Sequence, residues 1–167
     1  MNTICFRIAT QDDLSRIVEI YNTTIASRQV TADTEPVSVE SRKAWFDAHD
    51  NQRPLWVIEN IEQRIIGWVS FQSFYGRPAY DATVEISIYI DSEQRGKGFG
   101  KKILQHCIDV APKYGIKTLL GFIFAHNQAS LQLFRRFGFE DWGTLPNIAL
   151  MDEQEYSLKI LGKRLKE

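Results

Sequence analysis

Apolar residues recur at helical spacing through Leu14, Ile17, Val18, Tyr21 and Ile25, which predicts a helix with one buried stripe. A short strand at 5–8 leads into it, and Thr10 is placed to cap it just before Gln11. Residues 28–36 carry no period and are expected to form a loop. Ser38 then caps a second predicted helix that ends around 49–51, with Val39, Ala44, Trp45 and Ala48 facing inward. From Leu55 the pattern changes to β-branched and aromatic runs at 56–59, 65–74 and Thr83–Ile90. A polar turn at 60–64 joins the first two, so an antiparallel meander is expected. Residues 75–81 form an aromatic, turn-rich loop, suited either to substrate contacts or to plain connection. Further on, Ile103, Leu104, Cys107, Ile108 and Ala111 mark a helix ending near Tyr114-Gly115. Thr118–Phe124 reads as a strand, and Asn127 caps a short helix packed by Leu131, Phe134 and Phe137 before Gly138 stops it. A closing strand pair is expected at 139–142 and 156–161. Without repeats or linkers, these elements predict one mixed α/β layer structure with helices on both faces of a twisted sheet.

The chemistry concentrates between the third strand and the helix after it, at Arg95-Gly96-Lys97-Gly98-Phe99-Gly100. Three glycines at alternate positions let backbone N–H groups turn inward, and the helix aims its positive end at the loop's contents, so an anion such as a pyrophosphate fits. A nucleoside-triphosphate loop is excluded because Gly100 is followed by Lys101-Lys102 rather than by Lys-Ser or Lys-Thr. A dinucleotide fingerprint is excluded by the Gly-x-Gly-x-Gly spacing and by the absence of an acidic residue at the end of the next strand. The plain alternative is a flexible basic turn.

At 167 residues the chain suits one domain with one substantial core. Its 44% apolar and 25% charged content is that of a soluble globular protein, and a net charge of −1 argues against nucleic acid held by bulk electrostatics. Residues 1–10 lack the apolar core of a signal peptide, and no apolar run approaches the ~20 residues that cross a bilayer. A cytoplasmic protein with neither nucleic-acid nor membrane partner is therefore expected. Cys5 and Cys107 lie far apart without redox or zinc spacing and are expected to be reduced and buried. His49, His106 and His126 form no ligand pattern, so no metal is expected.

Three features in order and spacing resemble the GNAT family of acetyl-CoA-dependent N-acetyltransferases over nearly the whole chain. They are the strand at 84–90, Arg95-x-x-Gly98-x-Gly100, and Asn127-x-x-Ser130-x-x-Leu133-Phe134 followed by Phe137-Gly138-Phe139. Tyr75-Gly76-Arg77-Pro78-Ala79-Tyr80, followed by Thr83-Val84-Glu85, is most similar to the phosphinothricin and methionine sulfoximine branch. The resemblance implies a single domain over 1–167, a mostly antiparallel sheet whose central strand pair splays apart, and a homodimer. It also implies acetyl-CoA as co-substrate. The pyrophosphate would lie on the backbone amides of Arg95, Gly96, Lys97, Gly98, Phe99, Gly100 and Lys101, with charge from Lys97, Lys101 or Lys102. The pantetheine arm would run along the exposed backbone of Ile88, Tyr89 and Ile90, where a free N–H polarises the thioester carbonyl, and would meet Asn127 and Ser130. Asn127 is equally placed to be only a helix cap, or both. Tyr89 itself is expected to be structural, on the strand face opposite Ser87.

Direct attack by an amine needs a base and no nucleophilic cysteine. The resemblance implies Glu85 for this role; otherwise Glu85 sits on a solvated strand face or pairs with Arg77. Ser87, two residues on, shares its face and is a candidate for contact with substrate or water. Arg77 is the candidate for holding a carboxylate through two parallel hydrogen bonds, and Tyr75 and Tyr80 either line the same pocket or pack the loop. The sequence departs from the branch at Phe134, where tyrosine or histidine would protonate the leaving thiolate, at Ile86, where histidine is common, and over 150–156. Asp152, Glu153 and Glu155 form a solvated turn or attract a cationic substrate from a neighbouring subunit. The expected acceptor is an amino acid or analogue. The alternatives are a polyamine, an aminoglycoside, a protein N-terminus, or a non-catalytic acyl-CoA-binding module.

Overall fold

The structure, a computed structural model, describes residues 3–166. In chain order the elements are β1 (Ile4–Ile8), α1 (Leu14–Thr23), α2 (Val39–Asp47), β2 (Leu55–Asn60), β3 (Ile65–Ser73), β4 (Thr83–Ile90), α3 (Phe99–Val110), β5 (Thr118–Phe124), α4 (Gln128–Arg136), β6 (Glu140–Met151) and β7 (Gln154–Arg164). The strands form one sheet in the order β1-β2-β3-β4-β5-β7-β6. Every pair is antiparallel except β4–β5, which is parallel.

Strand alternation sends successive side chains to opposite faces, and each face carries its own core. On one face Ile58, Val69, Phe71, Val84 and Ile86 pack against Phe99, Ile103, Leu104 and Cys107 of α3. On the other, Val57 and Trp68 pack against Ile17, Ile20 and Tyr21 of α1, with Trp45 and Phe46 of α2 at the margin. The Trp68 indole N–H donates to the Ile17 carbonyl at 3.1 Å, and its ring stacks on Tyr89 at 4.5 Å. The α1 stripe is buried as its spacing predicts.

The pairing of β4 with β5 stops early. Thr83, Val84 and Glu85 pair with Thr118, Leu119 and Leu120, and nothing beyond them pairs. β5 meanwhile keeps its other edge on β7 along its whole length, and β4 stays on β3 as far as Ile90. Beyond Asp91, whose N–H donates to the Ile66 carbonyl, the β3 ladder fixes the backbone direction of each residue before it. Alternation turns the N–H and C=O of Tyr89 and Ser87 toward β3, and those of Ile88 and Ile90 toward the gap.

Three expectations need correction. In α2, Val39, Ala44 and Ala48 are exposed; the inward face is Arg42, Trp45, Phe46 and His49, because this peripheral helix buries only one edge. Cys5 is exposed, on the outer face of the terminal strand β1, whereas Cys107 is buried. The closing pair is far longer than 139–142 and 156–161. β6 carries register shifts at Asp141/Gly143 and Leu145/Ala149, the second accommodating Pro146, and these hide its period. Thr10 is the N-cap of the short turn Gln11–Asp13 that leads into α1, as expected, and its N–H and hydroxyl donate to the Asp13 carboxylate, which Arg7 also holds.

A Cβ at Gly67, where β3 passes Ile90, would lie 2.8 Å from the Tyr89 carbonyl oxygen, a backbone atom fixed in the ladder. Gly67→Ala is therefore expected to destabilise the fold by about 1–3 kcal/mol, read as a lower urea midpoint with an unchanged slope. An unchanged midpoint would show that the two strands can part there at no cost.

Candidate active site

The gap between β4 and β5 opens into a cleft. One wall is β4 from Glu85 to Ile90, another is Phe122, Ile123, Asn127, Ser130 and Phe134, and its far end is the loop from Gln94 to Gly100. In that loop Gly96 and Gly98 have φ of +75° and +81°, a left-handed backbone that a side chain would strain. Gly98 is the N-cap of α3 and offers no side-chain acceptor, so the first-turn N–H groups remain available to a ligand. Buried Phe99 anchors the loop in the core, while Arg95, Lys97, Lys101 and Lys102 are exposed around it. Gly100 allows α3 to approach α4, since a Cβ there would lie 3.1 Å from Leu133. The loop's entry is tied to α1 by Asp91, which pairs with Arg16 and accepts from the Glu93 N–H at 3.0 Å. Neither Arg16 nor Asp91 was expected to matter.

Asn127 does two jobs. Its carbonyl oxygen accepts from the Ser130 N–H at 3.2 Å, capping α4, and its amide donates to the Gln29 carbonyl at 3.1 Å. His126 reaches the Arg28 carbonyl at 2.7 Å. These bonds draw 28–30 across the end of the cleft, so that Gln29 and Val30 become part of its lining, which no sequence motif announced. Phe134 is buried, with its ring against Gly121, where a Cβ would lie 2.7 Å from it.

On the opposite face of β4 a second cavity of about 200 Å³ lies between the sheet and α1 and α2. Its floor is a polar row, Ser70 and Gln72 of β3 beside Ser87 and Glu85 of β4, each pair directly across the strands. Tyr21, Trp45, Trp68 and Tyr89 surround that row with aromatic rings, and Arg42 reaches in from α2. Glu85, Ser87 and Tyr89 line both cavities. The Glu85 carboxylate is half-buried, and burial alone pushes its pKa up. The Ser70 hydroxyl on that floor is buried without a hydrogen-bond partner among the described residues. Burial also raises the phenol pKa of Tyr89 and Tyr21, so neither serves as a base near neutrality.

The structure thus brings Glu85 and Ser87 together and leaves Tyr75, Arg77 and Tyr80 out. Those three are exposed on the loop after β3, where Tyr75 and Tyr80 pack around Phe74, and none lines the cavity. Arg77 does not pair with Glu85. Tyr89 lies on the same face as Ser87, not the opposite one, because residues two apart on a strand share a face. Its own N–H and C=O belong to the β3 ladder, so only Ile88 and Ile90 offer free backbone to the gap. Arg42 was missed, although Arg42, Trp45, Phe46 and His49 follow i, i+3, i+4, i+7 spacing; the stripe shows once arginine is counted as partly apolar.

A sequence profile of the Acetyltransferase (GNAT) family matches residues 17–139. The chain is 54% identical over 159 residues to YwnH of Bacillus subtilis (strain 168), an alignment covering 95% of this chain and 98% of that one. It is 34% identical over 137 residues to the L-methionine sulfoximine/L-methionine sulfone acetyltransferase of Pseudomonas aeruginosa, covering 81% and 80%. Its fold superimposes on the crystal structure of a GNAT superfamily phosphinothricin acetyltransferase from Sinorhizobium meliloti in complex with AcCoA. That match has a TM-score of 0.91 at 27% identity, over 99% of this chain and 90% of that one.

The raised pKa of Glu85 has a consequence for stability. Between the ordinary value of 4.5 and the higher native one, the folded state binds more protons than the unfolded state. Stability therefore falls as pH rises through that window and stays lower above it. Glu85→Gln removes the burden: the variant is expected to melt a few degrees above the wild type near pH 7, with the difference shrinking toward pH 4. A lower melting temperature near pH 7 would show that the carboxylate is stabilised by its surroundings.

Proposed function

Since the chain belongs to the GNAT acetyltransferase family, we propose that it moves the acetyl group of acetyl-CoA to the primary amine of a small amino acid or close analogue, of the kind named for its phosphinothricin and methionine sulfoximine relatives. The observation that carries this reading is the position of Glu85, on the wall common to the gap and to the small polar–aromatic cavity.

The cleft has the features that CoA requires: an unpaired strand edge, two left-handed glycines and an uncapped helix start. The amides from Arg95 to Lys101, with the charge of the exposed lysines, hold the pyrophosphate. The free backbone of Ile88 and Ile90 pairs with the pantetheine amides, and Asn127 and Ser130 lie alongside. Acetyl-CoA supplies an activated acetyl thioester. In the other cavity Glu85 takes the proton from the acceptor's ammonium, directly or through a water held by Ser70 and Ser87, so that the amine lone pair is free to attack. Cys107 is fully buried on the inward face of α3 and its thiol pKa is raised, which supports transfer without a covalent enzyme intermediate. Phe134 in the cleft wall has no proton to give to a leaving group, so the CoA thiolate leaves unassisted or takes its proton from solvent or another residue.

A volume of about 200 Å³ falls below that of drug-sized ligand sites, which favours a single small amine over an aminoglycoside. The expected location is the cytoplasm. The expected state is a homodimer, supported by Trp142, Ile148 and Leu150, which β6 leaves exposed.

Release of CoA thiol from acetyl-CoA is expected with methionine sulfoximine, phosphinothricin or an ordinary amino acid, and not with spermidine or kanamycin. Glu85→Gln is expected to lower kcat by about 10²- to 10⁴-fold while leaving acetyl-CoA affinity, read by calorimetry, unchanged. Release with spermidine alone would refute the acceptor class, and indifference to Glu85→Gln would remove Glu85 as the base.

A further inference from the structure

The acceptor cavity is polar at its floor, aromatic around its middle, and cationic at one place only. Among the described residues that line it, Arg42 is the single lysine, arginine or histidine. Its guanidinium lies over the Tyr21 ring at 4.7 Å, and one nitrogen donates to the Asp33 carboxylate at 2.7 Å. The Tyr21 hydroxyl donates to the same carboxylate and also bonds with Thr31. Tyr21, Asp33 and Arg42 thus form a closed set in which the arginine is held from one side and the rotamer freedom of a long side chain is already spent.

A guanidinium carries five N–H donors in a rigid fork, and Asp33 takes one. No other hydrogen bond of Arg42 to the described residues accompanies it. We infer that Arg42 is the residue that binds the acceptor's carboxylate, with Asp33 and Tyr21 as positioning residues that aim its fork into the cavity. The inference rests on the acetyltransferase reading above and sharpens it: the acceptor carries an amine and a carboxylate at once. The amine goes to the Glu85 end, where the orphaned Ser70 hydroxyl supplies a further polar contact, and the carboxylate goes to Arg42. The rings of Trp45, Trp68 and Tyr89 lie between and favour a side chain with an apolar stem. Arg77, exposed and outside the cavity, has no part in this.

A purely structural Arg42, clamping α2 to the loop at 31–33, would affect all acceptors alike. A carboxylate ligand discriminates between them. The test is steady-state kinetics at saturating acetyl-CoA with L-methionine sulfoximine and with its carboxamide, in which the carboxyl is replaced by an uncharged amide. The wild type is expected to prefer the acid. In Arg42→Ala, KM for the acid is expected to rise roughly 10- to 100-fold with kcat little changed, while the carboxamide is affected far less, so the preference collapses. Arg42→Lys, which keeps the charge and loses the fork, should fall between. Asp33→Asn should raise KM for the acid by a smaller factor, and Arg77→Ala should leave the acid-to-amide ratio as it is. Melting temperature and calorimetric acetyl-CoA affinity of each variant establish that it is folded. If Arg42→Ala does not fold, Arg42→Lys and Arg42→Gln carry the same comparison.

An unchanged acid-to-amide ratio in a folded Arg42 variant overturns the inference, as does a collapse in Arg77→Ala instead. A wild type that acetylates amines but no carboxylate-bearing one overturns the acceptor reading itself. That failure is told apart because it appears before any residue is changed.

Discussion

Everything this protein can do with a ligand depends on three residue pairs of parallel sheet followed by none. β4 and β5 are joined through Thr83–Glu85 and then part, because each is committed elsewhere: β4 to β3 through Ile90, and β5 to β7 through Phe124. Sheet twist widens the gap with each residue. The backbone groups of Ile88 and Ile90 are left facing a partly enclosed cleft, a costly condition for hydrogen-bonding groups unless water or a ligand satisfies them. The glycine loop and α3 begin where β4 ends, and the Asn127 cap and α4 begin where β5 ends, so both anchor points flank the same opening. The loop at 28–30, tied to the second by Asn127 and His126, closes its end.

The period of two along β4 then separates two kinds of chemistry. Val84, Ile86, Ile88 and Ile90 turn their side chains to the α3 face and give that core its floor. Glu85, Ser87 and Tyr89 turn to α1 and α2, where a sheet surface of this kind would ordinarily be apolar. A half-buried carboxylate and a buried hydroxyl without a partner make a poor core. They make a workable site, since burial raises the affinity of Glu85 for a proton while the aromatic walls limit water. Local conflict with good packing, surrounded by two well-packed cores, is how a functional site is expected to look in an otherwise consistent fold.

Much of this was legible in the sequence. The glycine loop between a strand and a helix, the alternation of β4 that puts Glu85 and Ser87 on one face, and the Asn127 cap depend on fixed spacing, and the structure has each of these elements in place. The acceptor cavity was less legible, because it is assembled from α1, α2, β3 and β4, and no local period shows that Arg42, Ser70 and Glu85 line one space. Arg77 looked suitable by residue type and by its place next to β4, yet a turn with Pro78 carries it into solvent. The β6–β7 hairpin was underestimated because two register shifts and an internal proline break the alternation by which a strand is read. The burial of α2 was misjudged because its inward edge is made by an arginine, two aromatic residues and a histidine rather than by alanines.

The central claim is that the β4 edge facing β5 is free and is where CoA binds. Amide hydrogen exchange, resolved by residue with and without CoA, tests it most directly. The Ile88 and Ile90 amides are expected to exchange fast in the free protein and to become strongly protected when CoA is added. Those of Ser87 and Tyr89, already bonded in the β3 ladder, are expected to be slow in both states. Protection of Ile88 and Ile90 without CoA, or no change on adding it at saturating concentration, would contradict the account.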